Sequence, residues 1–333
     1  MKKAAVLSFS ERGKLLADRV AELLQTEYEA FTLEPRGQLQ ETTGQLFSNC
    51  DALIFVGACG IAVRAIAPYV ASKTSDPAVL VIDERGQHVI SLLSGHIGGA
   101  NELTLRIAEG IGADPVVTTA TDVNGRFSVD AWAAKQGLII DSMELAKFFS
   151  AEILKRDLPI YSELPVDGAL PAGLIFGQNG ALGAAISFRQ IRPFSHTLRL
   201  IPKCLHLGIG CRKGTNAEDL RQFAEETLAE YEIDVRSIAK IASIDVKAEE
   251  PGLLEFSRIT GVPAAFYSAP QLQEVPGDFS ASAFVQSTVG VDNVCERAAM
   301  RSAGAGASLL IRKTACNGMT LALAQENRRI RFE

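Results

Sequence analysis

Four histidines occur in this 333-residue chain, and His96 has the most pointed surroundings. It lies in Ser94-Gly95-His96-Ile97-Gly98-Gly99, between the apolar run His88 to Leu93 and an amphipathic stretch that begins Ala100-Asn101-Glu102. An imidazole gains or loses a proton near neutral pH. Glycines beside it let backbone N–H groups approach a ligand. A helix starting at Ala100 would aim its unpaired N–H groups and positive dipole end at the same place, within reach of Ser94, Gly95, Gly98, Gly99 and Asn101. The plainer reading is a glycine turn with a hydrogen-bonded histidine in it. Asp122 follows Thr118, Thr119 and Thr121 at the end of another apolar run. A carboxylate there can orient an imidazole or act as a base, and it can equally cap the next turn.

Three more segments have the strand–glycine–helix pattern at which ligands gather in open α/β sheets. They are Gly57 to Arg64, Gly208 to Thr215 and Ser287 to Asn293. With the two segments above they predict a rim of backbone donors, small hydroxyls and a few charges. Gly57, Gly60 and Arg64 come from the first, and Gly208, Gly210, Arg212 and Lys213 from the second. GIGCRKGT is neither a P-loop nor GxGxxG, because Gly214 falls one residue late, and no acidic residue about 20 positions on stands out as a ribose partner. Fold alone would admit a dinucleotide enzyme; this loop counts against it. Arg212 and Lys213 suit carboxylates, which Arg can grip bidentately, or they are a solvated basic turn. Cys59 and Cys211 sit in these turns without a base partner.

These residues need strands and helices to place them. KAAVLSF, DALIFVGA and AVLVI read as buried strands, and AVLVIDERGQHVISLL as two strands around an Asp-Glu-Arg-Gly turn. GKLLADRVAELLQ carries a helical stripe at Leu15, Leu16, Val20, Leu23 and Leu24, and DPVVTTATD reads as a further strand. The fold class expected is α/β: two doubly wound three-layer α/β domains with a small α+β region between them. The divisions fall at 1–128, 129–200 and 201–333. The middle part holds a Trp132-containing helix, the helix SMELAKFFSAEILKRD, and the short strands LPIYSEL, GLIFG and GAAISFR. In the last part FVQSTV reads as a strand, and Asn317-Gly318 as a hairpin turn.

Hydrophobic residues make up 47% of the chain and the net charge is −6, so sizeable cores are available and no basic face is offered to nucleic acid. No apolar run approaches the ~18 residues of a membrane span. The N-terminal MKKAAVLSF suits a strand better than a signal peptide. Six scattered cysteines without a CxxC pair suit a reducing cytoplasm and give no zinc spacing. No pair of histidines has metal-ligand spacing either. The expectation is a soluble cytoplasmic protein.

GACGIAVRAIAPYV…VISLLSGHIGGANELTLRIAEGIGADPVVTTATD resembles the N-terminal domain of the cobalt-precorrin-5A hydrolase (CbiG) family of anaerobic cobalamin biosynthesis. LGIGCRKGT, IASIDVKAEEPGLLEFSRITGVPAAFYSA, STVGVDNVCERAA and LLIRKTACNGMTLALA resemble its C-terminal domain, which the related CobE carries alone. The resemblance implies opening of the ring A δ-lactone of cobalt-precorrin-5A and release of acetaldehyde, giving cobalt-precorrin-5B. It implies a cobalt-corrinoid substrate that brings its own metal, no cofactor and no metal held by the protein. The partners it implies are that substrate and neighbouring pathway enzymes. The alternative is a non-catalytic corrinoid carrier in the same pathway. Lactone hydrolysis needs a base for water and donors for an oxyanion. By chemistry and position, His96 is the expected base and Asp122 its partner.

Overall fold

Ala4-Ala5-Val6-Leu7, Leu53-Ile54-Phe55 and Val79-Leu80-Val81 have no polar face, so strands built from them need cover on both sides. The computed structural model describes residues 1–35, 37–72 and 75–332, apart from the side chain of Phe284. It divides the chain into two compact units, Met1–Ala134 and Lys135–Glu333.

The first unit runs β1 (Lys2–Ser8), α1 (Glu11–Leu24), β2 (Tyr28–Leu33), α2 (Leu39–Asn49), β3 (Ala52–Val56), α3 (Cys59–Ile66), β4 (Ala78–Ile82), β5 (His88–Leu93), α4 (Ala100–Ile111), β6 (Asp114–Val116), α5 (Ala120–Val123) and α6 (Val129–Lys135). Its sheet has the order β2-β1-β3-β4-β5-β6. Val20, Leu24, Leu103 and Ile107 of α1 and α4 pack on Ala4, Val6, Ile54 and Leu80. Phe47, Ala62 and Ile66 of α2 and α3 cover Ala5, Leu7, Leu53 and Phe55 on the other face. Burying a large aliphatic or aromatic side chain contributes roughly 1.5–3 kcal/mol, so both layers are needed. Leu15 does not join them; it is exposed, and α1 buries Gly13, Ala17, Val20, Ala21 and Leu24 instead.

One turn governs where the site falls. The Asp83 carboxylate accepts the N–H groups of Arg85, Gln87 and His88, and Gly86 takes φ +68°. This closes a β4–β5 hairpin with Val79 opposite Leu93 and Ile82 opposite Val89. The strand β6 then runs parallel to β5. Both therefore end at the edge of the sheet where β1, β3 and β4 begin. The strand expected over DPVVTTATD is correspondingly brief. It stops at Val116, and Asp122 lies on the helical turn α5.

The second unit begins β7 (Leu138–Ile140), α7 (Met143–Ile153), β8 (Leu158–Ser162), β9 (Val166–Asp167), β10 (Leu174–Phe176), β11 (Leu182–Ile186) and β12 (His196–Pro202). It continues β13 (Leu205–Gly210), α8 (Ala217–Glu230), β14 (Ile238–Ile244), α9 (Pro251–Thr260), β15 (Ala264–Tyr267), α10 (Ala269–Gln273), α11 (Ala283–Val289), α12 (Cys295–Ala303), β16 (Ser308–Cys316), β17 (Met319–Gln325) and β18 (Ile330–Arg331). One sheet is β10-β8-β11-β12-β7 and the other β15-β14-β13-β17-β16. Arg199 on β12 reaches Asp234, next to β14, at 2.8 Å with both side chains buried, which ties the two sheets together.

In the second sheet the helices lie on both faces. Leu207 and Ile241 face Leu228 of α8 and Phe256 of α9, while Gly208, of opposite parity, lies under Cys295 and Ala299 of α12. Asn317 (φ +48°) and Gly318 (φ +81°) make the expected hairpin turn. FVQSTV is helical rather than a strand. The Ser282 hydroxyl accepts the Val285 N–H at its start, and Gly290 in the left-handed region ends it, so start and stop signals outweigh the β-branched residues.

Candidate functional site

The first-unit site is built on the turn before α4. Gly99 (φ +82°) is the N-cap of α4, a conformation that favours glycine. A Cβ on Gly98 would stand 2.4 Å from that of Ser94, and one on Gly95 would stand 2.7 Å from Asn101 Oδ1. The turn's glycines are thus accounted for by its own tight packing, as the plainer reading held. Ser94 takes φ +57° and buries its hydroxyl, which has no hydrogen-bond partner among the described residues.

What the turn presents is His96. Its Nε2 lies 2.8 Å from Asp122 Oδ2 and 3.1 Å from Thr121 Oγ1, and its Nδ1 lies 3.4 Å from Asp130 Oδ1. The imidazole is held between two carboxylates. Side-chain exposure is 17% for His96, 40% for Asp122 and 7% for Asp130, so Asp122 faces outward and Asp130 is the buried support. A neutral imidazole has one N–H and one lone pair; only the imidazolium donates to both neighbours. The bond to Asp130 is the main cause that raises the His96 pKa above the ordinary imidazole value. Burial opposes it and Asp122 adds to it.

Asn101 supports this group from below. It is buried, its Nδ2 donates to Thr119 Oγ1 at 2.8 Å and Asp122 Oδ2 at 3.1 Å, and its Oδ1 accepts from Ser91 Oγ at 2.6 Å. Its amide is therefore spent on orienting Asp122, which corrects the expectation that it meets a ligand directly. Thr119 belongs to the same network, and Thr118 is exposed beside it. Asp130 was missed because it lies beyond the expected boundary at 128, on a helix assigned to the middle region. In the structure α6 packs with the first unit, Trp132 against Phe127 at a centroid distance of 5.4 Å. The signal available was the proximity of Ser128 and Asp130, whose hydroxyl and carboxylate bond at 2.9 Å.

The single rim of five loops is corrected by the same geometry. Gly57 and Gly60 follow β3 at the edge where the parallel strands end, opposite the edge that carries His96. Arg64 points toward that far edge too, since its Nη1 donates to the Gly60 carbonyl. The structure does not bring these three to the imidazole. Ser287 to Asn293 begins inside α11 and runs past its end, so no strand leads into it.

The second unit has a site of its own at the strand ends β13 and β14 and the β16–β17 turn. A cavity of 630 Å³ there has an apolar floor that includes Ile244, Val289, Val294 and Met319. Arg212, Lys213, Lys247 and Lys313 also line it. Lys247 is paired with Glu250 at 2.8 Å, while Arg212 and Lys213 are exposed. Gly210 lines the cavity, but Gly208 does not. A Cβ on Gly208 would fall 1.8 Å from the Cys295 carbonyl oxygen, so helix packing explains that glycine. Burial raises the Cys211 thiol, which argues against an activated nucleophile. His206 is buried between Ser302 (2.7 Å) and Glu326 (3.5 Å). Among the described residues, no three His, Cys, Asp or Glu side chains are grouped to hold a metal ion. No helix among them is long and apolar enough to cross a membrane.

Fold and sites define a two-unit α/β protein with acid–base groups in one unit and a cationic, apolar-floored cavity in the other. The cobalamin synthesis G N-terminal model matches residues 41–122, and the cobalamin synthesis G C-terminus model matches residues 205–324. The cobalt-precorrin-5A hydrolase of Salmonella typhimurium is 36% identical over 89% of this chain and 90% of its own length. That of Priestia megaterium is 31% identical over 86% of this chain and 82% of its own. Protein CobE of a Sinorhizobium species is 37% identical over 36% of this chain and 79% of its own length. The chain belongs to the cobalamin synthesis G (CbiG) family.

Proposed function

We propose that this chain is a cobalt-precorrin-5A hydrolase, which opens the ring A δ-lactone of its cobalt-corrinoid substrate and releases acetaldehyde. The observation that carries the reading is an imidazole held between an outward and a buried carboxylate, in a chain similar over most of its length to two hydrolases of that name. Cobalt arrives within the substrate, and no protein cofactor is required.

The groups at hand balance the reaction. Asp122 takes a proton from water as it attacks the lactone carbonyl. The ring C–O bond breaks, and the departing oxygen takes the Nε2 proton of His96, leaving a carboxylic acid and an alcohol. Neutral His96 is then the base of the second step. It removes the proton of that hydroxyl, the carbonyl of acetaldehyde forms, and the carbon–carbon bond breaks. The electron pair passes into the conjugated macrocycle, an electron sink supplied by the substrate, and Asp122 returns its proton there. Because Asn101 and Thr121 also contact this pair, both groups are oriented before substrate arrives.

Arg212, Lys213 and Lys313 with the apolar cavity floor suit a macrocycle fringed with carboxylates, and are assigned to substrate binding. Anaerobic incubation with cobalt-precorrin-5A tests the reading. Stoichiometric acetaldehyde with the matching two-carbon loss from the corrinoid is the expected result. Tight binding without acetaldehyde would instead make the chain a carrier.

A further inference from the structure

Asp130, like Asn101, is a residue of the first-unit site that the hydrolase reading does not need in contact with substrate. It is the more buried of the two carboxylates, and its Oδ1 also accepts the Ser128 hydroxyl at 2.9 Å and the Ala131 N–H at 3.1 Å. That oxygen is thus pinned from its own helix turn while it faces His96 Nδ1 at 3.4 Å. The other ring nitrogen is turned to Thr121 and to the exposed Asp122. The two carboxylates stand on separate elements, α5 and α6, and they are the charged groups that act on the ring.

We propose that Asp130 is a positioning residue: its buried carboxylate holds His96 by Nδ1–H, fixing the ring's orientation so that Nε2 is the nitrogen that exchanges protons with substrate. This rests on the hydrolase reading for its catalytic consequence, though not for the arrangement itself. The physical reason is that a buried negative charge beside one ring nitrogen favours the doubly protonated ring and forbids the flipped orientation, in which an N–H would be turned away from it. Asp122, half in water, is screened and serves as the partner that can leave the pair when substrate enters.

Asp130→Asn is the direct test. An asparagine keeps one acceptor oxygen for Ser128, Ala131 and Nδ1–H, removes the charge and turns the second oxygen into an amide donor. With four histidines in the chain, the imidazole resonances can be followed by NMR, and His96→Gln assigns the one that matters. In Asp130→Asn the titration of His96 falls to lower pH. Its kcat drops on the order of tenfold to a hundredfold with KM unchanged, and the high-pH limb of the rate profile moves down with the titration. A His96 titration that stays where it is, or a kcat within about twofold of wild type, overturns the proposal.

If Asp130→Asn does not fold, Asp122→Asn at the exposed position decides. The His96 titration then stays above the ordinary imidazole value if Asp130 holds the ring, and its return to that value overturns the proposal. The titrations need no substrate. A wild-type protein that releases no acetaldehyde therefore defeats the hydrolase reading separately from the control of His96 by Asp130.

Discussion

His96 is useful because its two nitrogens have unlike neighbours, one buried and one in reach of solvent. Replacing His96 by Gln, or Asp122 by Asn, removes one partner of the proton exchange. We expect kcat for acetaldehyde release to fall about 10²–10⁴-fold in either variant, with substrate binding retained, which single-turnover assays and corrinoid titration would separate. The ion pairs also couple stability to pH. The folded His96 pKa lies above its unfolded value, so the contribution is fully present below the ordinary imidazole value of about 6.5. As pH rises, the unfolded chain loses this proton first and then binds fewer protons than the native one. The contribution is therefore lost as pH passes through the raised folded value. Urea unfolding from about pH 6 upward should show the difference between wild type and His96→Gln shrinking with pH. A constant or growing difference would contradict the assigned direction. Asp234 is the opposite case. Arg236 and Arg199 hold its pKa down to about 2 against the cost of burial, so its contribution is present at neutral pH and lost only in strong acid.

Among the elements, the β4–β5 hairpin decides which loops can meet. Its turn residues and the apolar runs on each side were legible in the sequence, and the strands appeared where expected. The consequence of an antiparallel reversal was not, because loop residues carry no mark of the sheet edge on which they will lie. The structure brings His96 and Asp122 together, whereas Gly57, Gly60 and Arg64, expected on the same rim, fall at the other edge. Helix–strand packing supplies a prediction here. A Cβ at Gly208 meets the backbone of Cys295 at 1.8 Å, which α12 cannot yield without leaving β13. Gly208→Ala should cost about 3 kcal/mol or more in denaturant unfolding, at the upper end for overpacked sites. An alanine variant as stable as wild type would mean that Gly208 is free for another role.

At the scale of the whole molecule, a chain of net charge −6 gathers Arg212, Lys213, Lys247 and Lys313 around one cavity. Binding of a polycarboxylate there should weaken with salt, and Arg212→Ala with Lys313→Ala should flatten that salt dependence while leaving the His96 titration untouched. A wild-type affinity independent of ionic strength would remove these cations from recognition. By itself the sequence determined the α/β alternation, the family and the local chemistry of the His96 turn. Apolar periodicity, turn residues and contiguous motifs are all short-range signals. Only the tertiary structure decided that Asp130 backs the imidazole, that Asn101 serves Asp122, and that Gly208 belongs to packing. Each depends on residues far apart in the chain meeting under close packing, and side-chain types at a spacing do not encode which neighbour the folded chain will bring.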